Sequence, residues 1–278
     1  MRGNIKEIFK HGSTTFYTSS LFFPPKLRRD VSILYAFVRT ADDYVDCVPQ
    51  NAEGFRSFRA DYELAIAGSA SRNLIVDSYV DLSKRWNFNP EWTTAFLDAM
   101  EQDLTKSRYD TLEEVLSYIY GSAEAVGLMM ATLMRVPEEG LEGARLLGRA
   151  FQYVNFIRDV QEDLDLGRVY LPSEDAHKCG LLVISKEEAL KKPAEFHEFI
   201  VTQLSRYHGW RSEAQQYFHF IPKKARIAVS TAASMYDYTA AVIQSNPMVI
   251  FQRKIKPSHH RIIANALVNT LRIILGGI

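Results

Sequence analysis

The sequence predicts an all-α fold. Apolar residues recur at helical spacing along most of the 278-residue chain, strand-like alternation is scarce, and Pro and Gly fall where the helical patterns break. No solenoid-type period and no long Gly/Ser/Pro linker divides the chain, so it reads as one domain, 1–278.

Taken in order, helices are expected over 26–47, 52–68, 71–86, 90–106, 111–135, 138–164, 186–190, 194–218, 222–245 and 258–275. Pro24-Pro25 precede the first, Asn89-Pro90 open the fourth and Pro137 opens the sixth, which Gly167 closes. In the first helix Val31, Ile33, Leu34, Phe37, Val38, Ala41, Tyr44 and Val45 leave no broad polar face. Within that apolar frame, steps of three and four connect Tyr35, Arg39, Asp42 and Asp46 in one stripe. The fifth helix, TLEEVLSYIYGSAEAVGLMMATLM, is long and apolar. Its small residues Gly121, Ser122, Ala123, Ala125 and Gly127 admit either close helix packing or a tunnel for an extended apolar substrate. Met129, Met130 and Met134 suit a core or an adaptable pocket wall. The sixth helix repeats the first: Gln152, Asn155, Asp159 and Asp163 form a stripe framed by Ala150, Phe151, Tyr153, Val154, Phe156, Ile157 and Val160. In the last, IIANALVNTLRIILGGI (262–278) is broken by Asn265, Asn269 and Arg272 and reads as a packed amphipathic helix, with peripheral membrane contact as the second reading. The basic residues Arg253, Lys254, Lys256 and Arg261 just upstream support that second reading.

One acidic pair at i,i+4 reads as solvated surface charge; two in matching apolar frames read as a site. Four inward carboxylates would repel one another and need positive charge between them. Oxygen donors without a His/Cys cluster suit Mg²⁺, usually held by one or two carboxylates while phosphates and water complete its shell. The pattern therefore points to a diphosphate substrate. Arg39 and Arg158 stand beside the acids, placed to neutralise the seams or to hold a phosphate oxygen.

Lys+Arg and Asp+Glu both number 33, which offers no global charge for nucleic acid or an acidic partner. Hydrophobic residues make up 47% and aromatics 12%, enough for a substantial core. The two cysteines, Cys47 and Cys179, build neither a disulfide framework nor a zinc site, and the N-terminus lacks the apolar run of a signal peptide. A cytoplasmic protein, peripheral to the membrane on the second reading of its tail, is the expectation.

Together these segments resemble the squalene/phytoene synthase family of head-to-head prenyl transferases. RTADDYVD (39–46) resembles the family's first Asp-rich motif, and QYVNFIRDVQEDLDLGRVYLP (152–172) its second motif with the following flap. YIYGSAEAVGLMM (118–130) resembles the segment between them, STTF (13–16) the Ser-x-Ser-Phe start, and RIAVSTAASMYDYTAAVIQ with FQRKIKP the C-terminal helix and basic stretch.

The resemblance implies an isoprenoid-synthase helical bundle around a central apolar cavity, with the Asp motifs facing each other across its mouth. It implies three Mg²⁺ ions on Asp42, Asp46, Asp159 and Asp163, and diphosphate-binding or flap-ordering roles for Arg39, Gln152, Asn155, Arg168 and Tyr170, with Ser13 as a phosphate-side hydroxyl. Tyr35 and Tyr120 match polar aromatics near the reacting carbons, alongside Arg39 and Tyr170 as catalytic candidates; Phe16 is a further aromatic for a carbocation. Asp43 and Glu162 lie about 100° around their helices from the main stripes. Two departures stand out: Thr14 and Thr15 where Lys and Ser are frequent, and Glu124 in place of a small residue, either reshaping the cavity or facing out.

The expected reaction joins two geranylgeranyl diphosphates to phytoene without reductant. The alternatives are a farnesyl-using synthase making squalene, dehydrosqualene or presqualene diphosphate, with NADPH required only for squalene, and a non-catalytic assembly factor of the same fold. Such a factor should lack the metal-site carboxylates, which this chain keeps. The sequence leaves the oligomeric state open.

Overall fold

The computed structural model describes residues 2–275, without the side chains of 2–4, 14 and 15. The hydroxyls of Thr14 and Thr15, and the Gly-Gly-Ile end of the apolar tail, therefore lie outside the described residues. Two helices precede the first expected one: α1 (Arg2–Gly12) and α2 (Thr14–Ser20). α1 is held by Phe9, which packs on the rings of Tyr17 and Tyr35 with centroids 5.6 and 4.6 Å away. That is a tertiary anchor, and short helices need one.

α3 (Pro25–Asp46) starts at the proline that pre-sets its first turn. α4 (Ala52–Ile66), α5 (Leu74–Trp86) and α6 (Pro90–Gln102) pack around it. The expected start of α5 at 71 gives way to Asn73, whose side chain accepts from the N–H groups of Ile75 and Val76 and caps the helix there. Between these helices Phe37 stacks on Tyr79 at 3.8 Å, ringed by Phe58, Tyr62 and Phe96. Each such buried ring contributes roughly 1.5–3 kcal/mol by leaving water.

The long helix expected over 111–135 is interrupted. α7 (Leu112–Ile119) passes through a π-turn, Tyr120–Glu124, into α8 (Ala125–Leu133). A π-turn adds a residue to the ladder and rotates the helix beyond it, a device frequent at functional sites. The helix expected over 138–164 also divides, into α9 (Leu141–Arg158) and α10 (Val160–Asp165), with Asp159 between them at φ −98°, ψ 12°. Beyond lie α11 (Ser173–Lys178), which was not expected, α12 (Lys186–Lys191), α13 (Pro193–Gln215), α14 (Lys223–Ser245) and α15 (His259–Ile274). Among the described residues no β-strand forms, only one bridge between Arg108 and Val169.

The small residues of the middle helix serve close packing. A Cβ on Gly127 would fall 2.6 Å from the Ala144 carbonyl oxygen, and one on Gly148 would fall 2.7 Å from that of Ala123. These reciprocal approaches let α8 and α9 lie backbone to backbone. Among the described residues no helix is long and apolar enough to cross a membrane.

Candidate active site

The close α8–α9 contact forms one wall of an apolar cavity of about 290 Å³. That is the lower edge of the usual ligand-site range of roughly 300–1,000 Å³. Its other walls come from the α2 segment, from α3 through Val31, Leu34 and Val38, and from α14 through Ala228, Val229 and Ala232. Gly127 packs helices and, with Ser122 and Ala123, also lines the cavity. Met130 and Met134 line the space, whereas Met129 is buried in the core, accepting from the Tyr79 hydroxyl at 3.4 Å.

Tyr35 of α3 and Gln152 and Asn155 of α9 supply polar groups to this otherwise apolar wall. Each lies one or two helical turns from an acidic pair, so both stripes reach the cavity through these residues, while the four aspartates lie outside its lining. Asn155 Oδ1 is buried without a hydrogen-bond partner among the described residues, as are Ser19 and Ser122 Oγ in the cavity wall. Tyr35 packs over Gly12, where no Cβ would fit, and burial pushes its phenol pKa up. Phe16, Phe151 and Tyr236 add aromatic faces, the last two stacked at 4.0 Å.

The division at Asp159 does not separate its pair. Its N–H donates to Asn155 O at 2.8 Å and its carbonyl accepts from Asp163 N at 2.9 Å, so the i,i+4 stacking survives the bend. Burial, then Asp46, raises the Asp42 pKa to about 7. Burial, then Asp159 and Asp46, raises that of Asp163 to about 8. Acids from both motifs feel one another, as expected for facing seams short of positive charge.

The cations present are all engaged. Arg39 binds Asp42 at 2.7 Å and Asp43 at 2.6 Å. Arg158 grips Asp159, with Nε to Oδ1 at 2.7 Å. Lys254 reaches Glu162 and lies 3.8 Å from Asp159. The flap supplies Arg168: Gly167, at φ +76°, turns the chain so that Arg168 N bonds Asp163 O at 2.7 Å while its guanidinium binds Asp46 at 2.6 Å and the Val45 carbonyl. Asp43 and Glu162, off the main stripes, thus hold cations rather than join the seams.

Two residues without an expected role, Asp103 and Tyr118, belong to this network, as does Lys254, which was expected on the surface. Asp103, at the end of α6, accepts from Tyr118 at 2.5 Å and from Tyr170 at 2.8 Å, and burial raises its pKa to about 6. Tyr170 in turn accepts from Arg168 at 3.2 Å. Tyr118 lay inside the quoted middle motif and Lys254 inside the basic stretch, but Asp103 stood in no motif.

Three expectations are corrected. Tyr120 is 38% exposed on the outer side of its π-turn, with the Arg145 guanidinium 6.0 Å from its ring, and it does not line the cavity. Its neighbour Gly121 instead faces α6, where a Cβ would fall 2.2 Å from the Ala95 carbonyl oxygen. Tyr170 is buried beside Asp103 rather than in the main cavity, so its geometry is that of a residue positioning Arg168. Glu124 neither faces out nor lines the cavity. It is 1% exposed, bound by Arg149 at 2.6 Å and by Arg145 at 3.0 Å. Ser13 caps α2 by accepting from Phe16 N at 3.2 Å, a structural use of its hydroxyl.

The family this chain matches and its relatives make it a prenyl transferase. The model of the squalene/phytoene synthase family matches residues 9–261, and the chain belongs to that family, whose members join prenyl diphosphates head to head. It is 30% identical over 243 residues to a phytoene synthase of Pseudescherichia vulneris, covering 81% of this chain and 77% of that one. To a 15-cis-phytoene synthase of Paracoccus sp. it is 28% identical over 262 residues, 91% and 85% of the two chains. A dehydrosqualene synthase crystal structure shares the fold with a TM-score of 0.89 at 23% identity, over 99% of this chain and 96% of that one. A squalene synthase from Alicyclobacillus acidocaldarius does so at 0.78 and 22% identity, over 88% and 93%.

Proposed function

We propose that the enzyme joins two geranylgeranyl diphosphates into phytoene by way of a cyclopropylcarbinyl diphosphate, with Mg²⁺ as its metal. Each of the two steps releases one pyrophosphate and one proton, and neither needs a reductant. The carrying observation is the pair of acidic seams, Asp42/Asp46 and Asp159/Asp163, with Asp42 and Asp163 pushed up to about 7 and about 8. The choice of the C20 substrate is supported by relatives named as phytoene synthases over more than three quarters of their length.

The donor set fits Mg²⁺. Among the described residues no three acidic, His or Cys side chains converge on a preformed cage. What fits Mg²⁺ is the chemistry of the four aspartates, oxygen donors of the kind it takes beside phosphate and water. Asp42, Asp46, Asp159 and Asp163 would hold the ions, which when bound offset the negative charge of the departing pyrophosphate. Arg39, Arg158, Arg168 and Lys254 already stand on these carboxylates, within reach of diphosphate oxygens. Gln152 and Asn155 orient the head group through their side-chain amide N–H donors, the unpartnered Asn155 Oδ1 remaining to accept from water. The apolar wall takes the chains and excludes water, while Tyr35, Phe16, Phe151 and Tyr236 offer ring faces to the allylic cation.

Purified protein incubated with Mg²⁺ and either the C15 or the C20 diphosphate, with and without NADPH, tests the reading. Phytoene from the C20 substrate alone is expected. Dehydrosqualene or presqualene diphosphate from the C15 substrate would overturn the chain length, NADPH-dependent squalene would overturn the reductant-free course, and no pyrophosphate from either would overturn catalysis.

A further inference from the structure

The flap is fastened by charge at both ends. At the front Arg168 holds Asp46 at 2.6 Å and the Val45 carbonyl, joining the flap to α3. At the rear Asp175 of α11, only 4% exposed, enters a second buried polar cluster that the acidic site does not use. Arg206 of α13 donates to its Oδ2 through Nη1, and Gln203 Nε2 donates to the same oxygen at 3.3 Å. The same Arg206 nitrogen lies 3.1 Å from Tyr153 Oη and 3.0 Å from Gln203 Oε1, and Tyr153 Oη donates to Gln203 Oε1 at 2.5 Å. Tyr153 and Gln203 are wholly buried.

Tyr153 follows Gln152 on α9, so the cluster ties the rear of the flap to the helix that carries the second acidic stripe. Between the two fastenings the backbone is stitched to residues 107–110: Val169 N donates to Ser107 O at 2.8 Å and Ser173 N to Tyr109 O at 3.0 Å. The fastenings differ in kind. Arg168 grips a carboxylate of the acidic site, which the proposed reaction would have it exchange for a diphosphate oxygen. Asp175 grips groups that hold no substrate. Burial alone would raise its carboxyl pKa, but the hydrogen bond and charge of Arg206 outweigh burial and lower it, so the rear pair stays ionised at neutral pH. Removing one partner of such a pair strands the other.

We propose that Asp175 and Arg206 latch the rear of the flap, as positioning residues that hold it at the acidic site while Arg168 changes partners. The change of partners rests on the proposed condensation; the latch as a fastening does not. Its consequence falls between the two steps. The cyclopropylcarbinyl diphosphate must stay in place after the first pyrophosphate forms, and water must be kept from the allylic cation. With the rear loosened, the intermediate leaves after one pyrophosphate has formed, or water bonds through its oxygen to the cation and gives up a proton, yielding an alcohol. Either loss raises pyrophosphate per phytoene above the two of the complete reaction.

The test compares full-chain Asp175→Asn, Arg206→Gln and Arg206→Lys with wild type on the C20 diphosphate and Mg²⁺. Asn keeps the shape of Asp, and the Arg206 side chain is 23% exposed, so its freed charge meets water and the fold should survive, which melting curves check. Asp175→Asn and Arg206→Gln are expected to raise pyrophosphate per phytoene about tenfold, with alcohol or cyclopropylcarbinyl diphosphate among the products and little change in KM. Arg206→Lys, which keeps a cation for Asp175, should fall between. Asp30→Asn is the control: it breaks a buried ion pair to Arg85, 3.2 Å away between α3 and α5, and its ratio should stay near that of wild type. An unchanged ratio in folded Asp175→Asn and Arg206→Gln, or an equal rise in Asp30→Asn, would overturn the proposal. Should wild type turn over neither diphosphate, the condensation alone fails, and hydrogen exchange at the Val169 and Ser173 N–H groups decides the latch. Faster exchange in Asp175→Asn than in Asp30→Asn would uphold it, and equal exchange would overturn it.

Discussion

Arg168 binds Asp46 at 2.6 Å across 122 residues of sequence, and so ties the flap after the second acidic motif to the end of the first. Its guanidinium is buried, held from behind by Tyr170, which bonds Asp103. In the proposed reaction this guanidinium would exchange its carboxylate partner for a diphosphate oxygen.

Arg168→Gln is expected to lower kcat/KM by about a hundredfold or more, the usual scale for losing a buried charged donor to a developing anion. Arg168→Lys should recover only part, because a point charge cannot keep Asp46, Val45 and Tyr170 together. Steady-state kinetics on both variants checks this, and equal rates for Lys and Arg would contradict the fork geometry.

Asp42→Asn and Asp159→Asn should each abolish pyrophosphate release while leaving the circular-dichroism helix signal intact. Asn has the shape and volume of Asp, so the swap leaves no hole. Near-normal turnover in either would remove the proposed metal roles.

The metal-free protein should lose stability as pH rises from about 4 to about 8. Folded Asp103, Asp42 and Asp163 release protons near 6, 7 and 8. In the unfolded chain an Asp releases its proton near 3.9. Across that window the folded state binds more protons, so each rise in pH favours unfolding. The lowered carboxyls Glu114, Glu174, Asp175 and Glu188 act with the opposite sign at the acid end. Thermal melts against pH should slope downward, and Asp163→Asn should flatten the slope and melt higher than wild type near the top of the window. A flat wild-type profile would show that the acids are not mutually strained.

Mg²⁺ with pyrophosphate should raise the melting temperature more at the alkaline end of that window than at the acid end, since the ions need ionised carboxylates. Calorimetry in both buffers measures this, and an equal increment would argue against binding at these acids.

Glu124→Gln should destabilise by about 1–3 kcal/mol, because Arg145 and Arg149 lose their shared buried anion. The product should not change, as Glu124 is no part of the cavity wall. An altered product distribution by mass spectrometry would reverse that conclusion.

Helical period and the two acidic stripes were legible in the chain because both repeat every three or four residues, a spacing local geometry alone decides. The bend at Asp159 and the π-turn at Tyr120–Glu124 were not legible, since each is settled by packing against other helices. Tyr120 shows the consequence: its place in the motif is clear, but its ring lies outward, beside Arg145.

The sequence by itself determined the all-α class, the acidic pairs and the family, for these rest on residue type and near-neighbour spacing. Only the tertiary structure decided that Asp103 backs the flap, that Lys254 serves the acidic site rather than the surface, and that Glu124 is locked between two arginines. Each of those contacts joins side chains far apart in the chain. Periodicity carries no information about which distant residues burial will bring together or leave short of charge.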